Sequence, residues 1–434
     1  MVNCNLHREK AREPYWAKLR EAVGGECGER LVDAMKDLYS IYTPDVIDWF
    51  ASLYDLESGK FYYSASARDS ESREYKGKTY LLRADIESTS QALGFMESSG
   101  MTDDFGRDLS LALPKWMQDD IADNVYNMQD DDGYFYHKHW GKNIPLVRRS
   151  RDLMWANSIL RRFGREKKYV SVSDSDMVNE VKNVALPAHL QSAEIFCKYL
   201  EAADIHQNCY PVGNDLACQT DLIKLANLVD VCYDFLNKMQ LENGLWCPEE
   251  GYFAINGAMK ITCFYNGVHR VIPRAREMAR VAIRVLLSDE PVNGAVDLFN
   301  PWFTIGNLLT SLRESGEEGN READKMLSEV RAVAPEAIRA TARKVLAFKK
   351  ESGSFSYHVT CSSHISSGMP TAIPNSWEGD INGYILSATG LINHVYRGLE
   401  ITDYQVPLFT RCDFDRYIDI IEKRRTKERK EKNG

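Results

Sequence analysis

The chain has 434 residues, 44% of them hydrophobic and 11% aromatic, and a formal net charge of −9. That is ample apolar material for a buried core, and the acidic balance argues against a nucleic-acid backbone as partner, which would need a basic footprint. No stretch approaches the roughly 18 uninterrupted apolar residues of a membrane span. Ten cysteines without a CxxC pair, and a start without an apolar leader, predict a reduced, cytoplasmic protein that meets neither nucleic acid nor membrane.

In chain order the pattern is helical almost throughout. Arg30 to Tyr39 has the helical period, and Thr43-Pro44-Asp45 opens a helix through Trp49, Phe50 and Leu53 with proline in its first turn. A turn at Ser58-Gly59-Lys60-Phe61 follows, then β-like residues 61–67, then a helix from Asp85 to Ser98. Leu113-Pro114 opens a helix carrying Trp116, Ile121 and Val125. A second turn at Asp132-Gly133-Tyr134-Phe135 leads to a helix from Asp152 to Leu160. Residues 165–182 are charged and read as an insertion. Helices are expected over Pro187–Leu200 and Asp221–Met239, before a third turn at Asn243-Gly244-Leu245-Trp246 and a helix opened by Asn256. Pro273–Leu287 is another helix, Asn300-Pro301-Trp302 leads into the next, 317–320 reads as a loop, and Ala323–Lys350 as one or two helices. The fourth turn, Ser352-Gly353-Ser354-Phe355, precedes a helix over Ile381–Gly398 opened by Asp380. The basic run 423–430 reads as a frayed tail, with 420–434 flexible.

The four turns share one design: a glycine, an aromatic two residues later, a variable stretch, then Asp or Asn before a long helix. Helical pairs that cannot bury their apolar stripes alone must stack on neighbours. Turn-Gly-x-aromatic followed by Asp and a helix such as Asp85-Ile86-Glu87-Ser88-Thr89-Ser90-Gln91-Ala92-Leu93 resembles the repeat of α/α-toroid proteins. These include terpenoid cyclases, prenyltransferase β-subunits, six-hairpin glycosidases and toroidal polysaccharide lyases. The resemblance covers about four-fifths of the chain as a repeat. It implies an all-α fold, one α/α-toroid domain over 1–434 with short β-hairpins in rim loops, and a site where those loops gather.

Several residues are candidates for chemistry. Asp85, Asp152, Asn256 and Asp380 have the short acceptor side chains that N-caps require; Asp152 and Asp380 are also candidate catalytic carboxylates. Glu87 and Glu378, the latter beside Trp377, form a possible acid/base pair for glycoside hydrolysis. Tyr136-His137-Lys138-His139-Trp140 offers His139 as an acid or base for elimination from a uronic acid, with Arg148 or Arg151 to neutralise its carboxylate. Tyr63, Tyr136, Trp140, Arg151, Trp246 and Trp377 are candidate sugar-binding residues. His358, Cys361 and His364 lack a standard zinc spacing. Asp119-Asp120-Ile121-Ala122-Asp123 has the form of a magnesium-diphosphate string, but on a helix whose other face is apolar. The leading expectation is a carbohydrate-active enzyme, hydrolase or lyase, that needs no metal or other cofactor and acts on a small acidic oligosaccharide. The alternatives are an isoprenoid cyclase or transferase and a non-catalytic toroidal binding protein.

Overall fold

The computed structural model describes residues 2–174 and 186–433. The first part comprises α1 (Val2–Val23), α2 (Gly25–Tyr39), α3 (Val46–Ser52), α4 (Ala65–Asp69), an antiparallel hairpin of β1 (Ser72–Tyr75) and β2 (Lys78–Leu81), and α5 (Ile86–Ser98). The middle holds α6 (Leu109–Ala112), α7 (Lys115–Tyr126), α8 (Leu146–Arg162), α9 (Ala193–Ala202), α10 (Cys209–Cys218), α11 (Thr220–Leu225), α12 (Val229–Met239) and α13 (Tyr252–Gly267). The last part holds α14 (Ala275–Leu287), α15 (Val296–Arg313), α16 (Gly316–Val345), a two-residue ladder of β3 (Ile365–Ser366) with β4 (Met369–Pro370), α17 (Ile381–Ser387), α18 (Thr389–Gly398) and α19 (Arg411–Asn433). The protein is predominantly helical, and its strands are confined to two short ladders among the described residues.

Burial sorts the helices into two kinds. In α14, Ala275, Met278, Ala279, Ala282 and Leu286 are buried while Arg280, Arg284 and Leu287 face solvent, the stripe of a helix covered on one side. In α15 no position is exposed and in α13 only Phe253 is, and the buried positions include polar ones, as in helices covered all round. These enclosed helices pack on one another in chain order: α5 on α8, α8 on α10, α10 on α13, α13 on α15, and α15 on α17 and α18, which return to α5. One apolar core runs from Trp16 to Ile421.

The glycine turns are alike in atomic detail. Gly59, Gly133, Gly244 and Gly353 have φ of 64, 83, 84 and 76°. In the last three, the residue three before the glycine accepts its N–H and donates its own N–H to the carbonyl one residue after it, as in Lys350 to Ser354 at 2.8 Å. The following aromatics, Phe61, Phe135, Trp246 and Phe355, are all buried. A Cβ on Gly244 would lie 2.8 Å from the Met278 nitrogen in α14, and one on Gly353 would lie 3.0 Å from the Val46 nitrogen in α3. The fourth turn therefore sits on the helix that precedes the first. Lys349 Nζ strengthens that seat with a 2.6 Å bond to the Ile41 carbonyl. Gln240 Nε2 reaches the Pro273 carbonyl in the same way, at 2.9 Å.

Several expectations need correction. Asp152 lies inside α8 and Asn256 inside α13, because Leu146 and Tyr252 start those helices earlier and no breaker intervenes. Residues 61–67 are not a strand: Ser64 caps α4, and the hairpin lies further on. Pro301 is inside α15, and 317–320 belongs to α16, which runs unbroken through Pro335 to Val345. The helix over 381–398 is divided at Ala388, with φ −125° and ψ −101°. The basic run 423–430 is not frayed. It continues α19, whose Arg424 donates to the Ala51 and Tyr54 carbonyls at 2.6 and 2.9 Å, and whose Arg425 lies 3.8 Å from the centre of the Trp116 ring. Of the charged stretch 165–182, residues 175–182 lie outside the described residues.

The turn geometry predicts a graded effect of alanine. Gly77, at φ 73° in the β1–β2 hairpin, has nothing within 4 Å of a built Cβ. Gly77→Ala should cost only the left-handed strain of roughly 1–2 kcal/mol. Gly244→Ala adds a backbone collision and should cost clearly more. Urea titrations of the two variants measure the difference.

Candidate active site

Two of the four expected caps stand where the sequence places them, and both anchor loops at the start of enclosed helices. The Asp85 side chain accepts the Ser88 N–H at 2.9 Å, and its own N–H donates to the Phe61 carbonyl at 3.1 Å. Asp380 repeats this: its side chain accepts the Gly383 N–H at 2.7 Å, and its N–H donates to Phe355 at 3.0 Å. Asp380 also accepts the N–H groups of Tyr357 (2.7 Å) and Ser363 (3.2 Å), which folds the loop of the fourth turn over the start of α17. Burial pushes the Asp380 carboxyl up to about 7 against these donors. Asp380 is thus a buried anchor.

Beneath the loops lies an ionic cluster built on Arg148 of α8. Its guanidinium meets Glu87 at 2.6 Å, Asp152 at 2.9 Å and Asp85 at 3.5 Å, all buried. Trp140 lies on it at 4.6 Å. One guanidinium cannot offset three buried carboxylates, so protons make up the balance. Burial raises the Glu87 carboxyl and brings Asp152 to about 7, with Arg148 opposing both. His137 and His139 stand against Trp140, His137 within 3.8 Å of Asp152. Burial, then Lys60, lowers both, His139 to about 4, so both rings are neutral near pH 7. Asp152 is therefore an Arg148 partner within a helix, not a cap.

Ser366 connects this cluster to a cavity. Its hydroxyl donates to Glu87 Oε2 at 2.6 Å, and it lines a chamber of about 260 Å³ at the start of the enclosed helices. Arg151 of α8, Tyr210 and Asn214 of α10, Tyr357 and His358 of the fourth loop, and Asn382 of α17 supply most of its polar groups. Arg151 Nη2 donates to Asn214 Oδ1 at 2.8 Å. The Tyr357 and His358 rings lie 4.7 Å apart. Burial lowers the His358 imidazole and raises both tyrosine hydroxyls. None of the described residues lining the chamber is Asp or Glu.

Of the residues singled out in the sequence, the chamber brings Arg151 and His358 to its lining, with Glu87 one hydrogen bond behind it. Glu378 is a clasp: it accepts the Ser66 N–H at 2.8 Å, the Ser66 hydroxyl at 2.5 Å and the Ser362 hydroxyl at 3.1 Å. Glu87 is bound by Arg148 and Ser366, and neither carboxylate lines the chamber. Trp246 is buried with its indole N–H on the Leu236 carbonyl at 2.8 Å, a core residue of the repeat and not a sugar platform. Tyr136 is held in the second turn by Asp132 at 2.7 Å. Tyr63 is fully buried, its hydroxyl acting on Asp380. Trp377 is 69% exposed outside the chamber, with Lys350 Nζ 3.7 Å from its ring centre. His139 and Trp140 sit with the Arg148 cluster. Among the described residues, no three His, Cys, Asp or Glu side chains gather as a metal site. In the Asp119–Asp123 string, Asp119 pairs with Lys115 and Asp123 with Arg165. Sequence reasoning missed Tyr210, Asn214, Tyr357 and Asn382. The fourth turn's Phe355 could have pointed to Tyr357, two residues on in the same loop. Compared with known proteins, the chain matches no family model, no curated protein and no solved structure.

Two measurements probe the cluster. Arg148→Met leaves three buried carboxylates without their cation and should cost roughly 3–5 kcal/mol in urea unfolding. Asp152 binds its proton in the native state up to about pH 7, whereas the unfolded chain releases it near pH 4. Its contribution to stability therefore falls as pH rises between about 4 and 7. The Tm of Asp152→Asn relative to wild type should climb steadily across that range.

Proposed function

We propose that the cycle of enclosed helices is an α/α toroid of helical hairpins, and that its mouth is the site of a carbohydrate-active enzyme that cleaves a small acidic oligosaccharide by β-elimination. The order of helices along the chain supports the toroid: α3 precedes α5, α7 precedes α8, α9 precedes α10, α12 precedes α13, α14 precedes α15, and α16 precedes α17–α18, with α7 packed on α8 and α14 on α15. The second helix of each pair belongs to the cycle. The single observation that carries the reaction is the chamber lining. It offers a guanidinium, two tyrosines, a histidine and two amides, with no carboxylate pair for hydrolysis.

Each group has a role in this reading. Arg151 holds the uronate carboxylate, whose withdrawal of charge acidifies the C5 hydrogen. Neutral His358 takes that proton. The electron pair released forms the C4–C5 double bond, and the C4–O4 bond breaks. Tyr357, kept protonated by burial, gives its proton to the departing O4. Asn214, Asn382 and Tyr210 hold ring hydroxyls. The polar lining leaves no room for a greasy isoprenoid.

The test is ultraviolet absorbance by the unsaturated product on a panel of uronic-acid oligosaccharides. His358→Asn should lower kcat/KM by about 10²–10⁴-fold, the usual span for a general base. Because burial lowers His358, the acid limb of the wild-type profile should lie below about pH 6.5. New reducing ends without absorbance would make the enzyme a hydrolase. Binding without turnover would make the toroid a carbohydrate-binding protein.

A further inference from the structure

The division of the enclosed helix at Ala388 leaves backbone groups to be accounted for. The Ala388 N–H still reaches the Tyr384 carbonyl, and the Ile392 N–H the Ala388 carbonyl, both at 2.9 Å. Between them the ladder is open. The N–H groups of Thr389, Gly390 and Leu391 meet no hydrogen-bond acceptor among the described residues, although Thr389 and Leu391 are buried. Unpaired N–H groups at the start of a helix carry partial positive charge and favour an anion. α18, ten residues long, presents such a start inside the molecule.

A pocket of about 400 Å³ opens at this break, with Thr389, Gly390 and Asn393 on one side and Gln91 of α5 on the other. A second observation points to a ligand there. Thr389 is 1% exposed and lines the pocket, yet its hydroxyl has no partner; a buried hydroxyl left alone is destabilising. Gln91 Oε1 is also buried without a partner, while its Nε2 donates to Asn382 Oδ1 at 3.2 Å. Asn393 Oδ1 is taken by Gln405 at 2.5 Å, which leaves the Nδ2 donors. The charged groups on the lining are matched elsewhere: Glu97 by Arg162 through two bonds of 2.7 Å, and Arg107 by Asp103 at 2.8 Å. The pocket therefore offers a helix N-terminus, a hydroxyl and an amide donor, with one amide acceptor on α5.

We propose that this pocket binds a small hydroxylated oxyanion, a phosphate or carboxylate carried on a short polyol. The oxyanion sits on the N–H groups of Thr389 and Gly390 and on the Thr389 hydroxyl, and a ligand hydroxyl donates to Gln91 Oε1. Phosphate and carboxylate present the same acceptor chemistry to backbone N–H groups. Gln91 lines this pocket and Asn382 the chamber, so their bond stands between the two. The site is independent of the elimination reaction.

Calorimetric titration with glycerol 3-phosphate, glycerate, glycerol and inorganic phosphate tests it. Wild type should bind glycerol 3-phosphate or glycerate more tightly than glycerol or inorganic phosphate, and whichever it prefers identifies the oxyanion. Thr389→Val, which removes the hydroxyl and keeps the shape, should weaken that binding about tenfold or more, the loss of one hydrogen bond to a charged group. Thr389→Ser should keep it, and Arg151→Met, in the chamber, should leave it unchanged. The ligand-free Tm of Thr389→Val should equal or exceed that of wild type, since an unpaired buried hydroxyl is removed. In wild type labelled with ¹⁵N-threonine, the amide resonance absent from the Thr389→Ser spectrum is that of Thr389, and it should shift as the preferred anion is added. No binding of either hydroxylated anion, an affinity unchanged in Thr389→Val, or a Thr389 resonance that stays in place at saturation would overturn the proposal. A loss of binding in Arg151→Met as large as in Thr389→Val would overturn it too, by placing the anion in the chamber.

Discussion

The seat of each glycine turn is the contact on which the arrangement depends. A left-handed glycine lets backbone approach backbone where no Cβ would fit, and the aromatic two residues on fills the space behind it. Gly244 meets the start of α14 and Gly353 the start of α3 at about the same closeness. The geometry of the candidate site follows. The turns fix where the following loops begin, the loops meet the caps at Asp85 and Asp380, and Asp380 holds Tyr357 and Ser363 over the start of the enclosed helices while Glu87 holds Ser366.

Charge at this end is sorted. Asp85, Glu87 and Asp152 share Arg148 behind a layer of serines and aromatic rings, where they secure α5 to α8. The chamber in front presents Arg151, amides, tyrosines and a neutral histidine. These acids lie behind the chamber lining and share one guanidinium, which is why the chemistry is proposed for the groups around them.

The sequence revealed what rests on local backbone geometry. The four glycine turns and the caps at Asp85 and Asp380 have short-range signatures, and all of them appear. The sequence was misleading where a helix starts without a conspicuous cap: Pro145 and Gly251 precede α8 and α13, so Asp152 and Asn256 looked like openings while they lie inside. It was silent on α10, a short helix whose polar Tyr210 and Asn214 face the chamber. It was also silent on long-range partnerships. Nothing local in Glu378 announces that Ser66 occupies it across 312 residues. Trp246 and Trp377 looked equivalent as sugar platforms, yet one fills the core and the other lies in the open.

The bond from Lys349 to Ile41 spans 308 residues. An open solenoid can finish its first repeat before its last is made, because each unit leans only on neighbours in sequence. Here α3 lacks its neighbour until the fourth turn has left the ribosome. Contacts that join the two ends of a chain carry a high loop-closure cost and slow the final step of folding. The nascent chain must therefore hold α3 and α5 with an unfinished flank through most of its synthesis. A circular permutant opened at the exposed hairpin around Gly77 would change which flank waits, and leave every contact of the finished molecule in place.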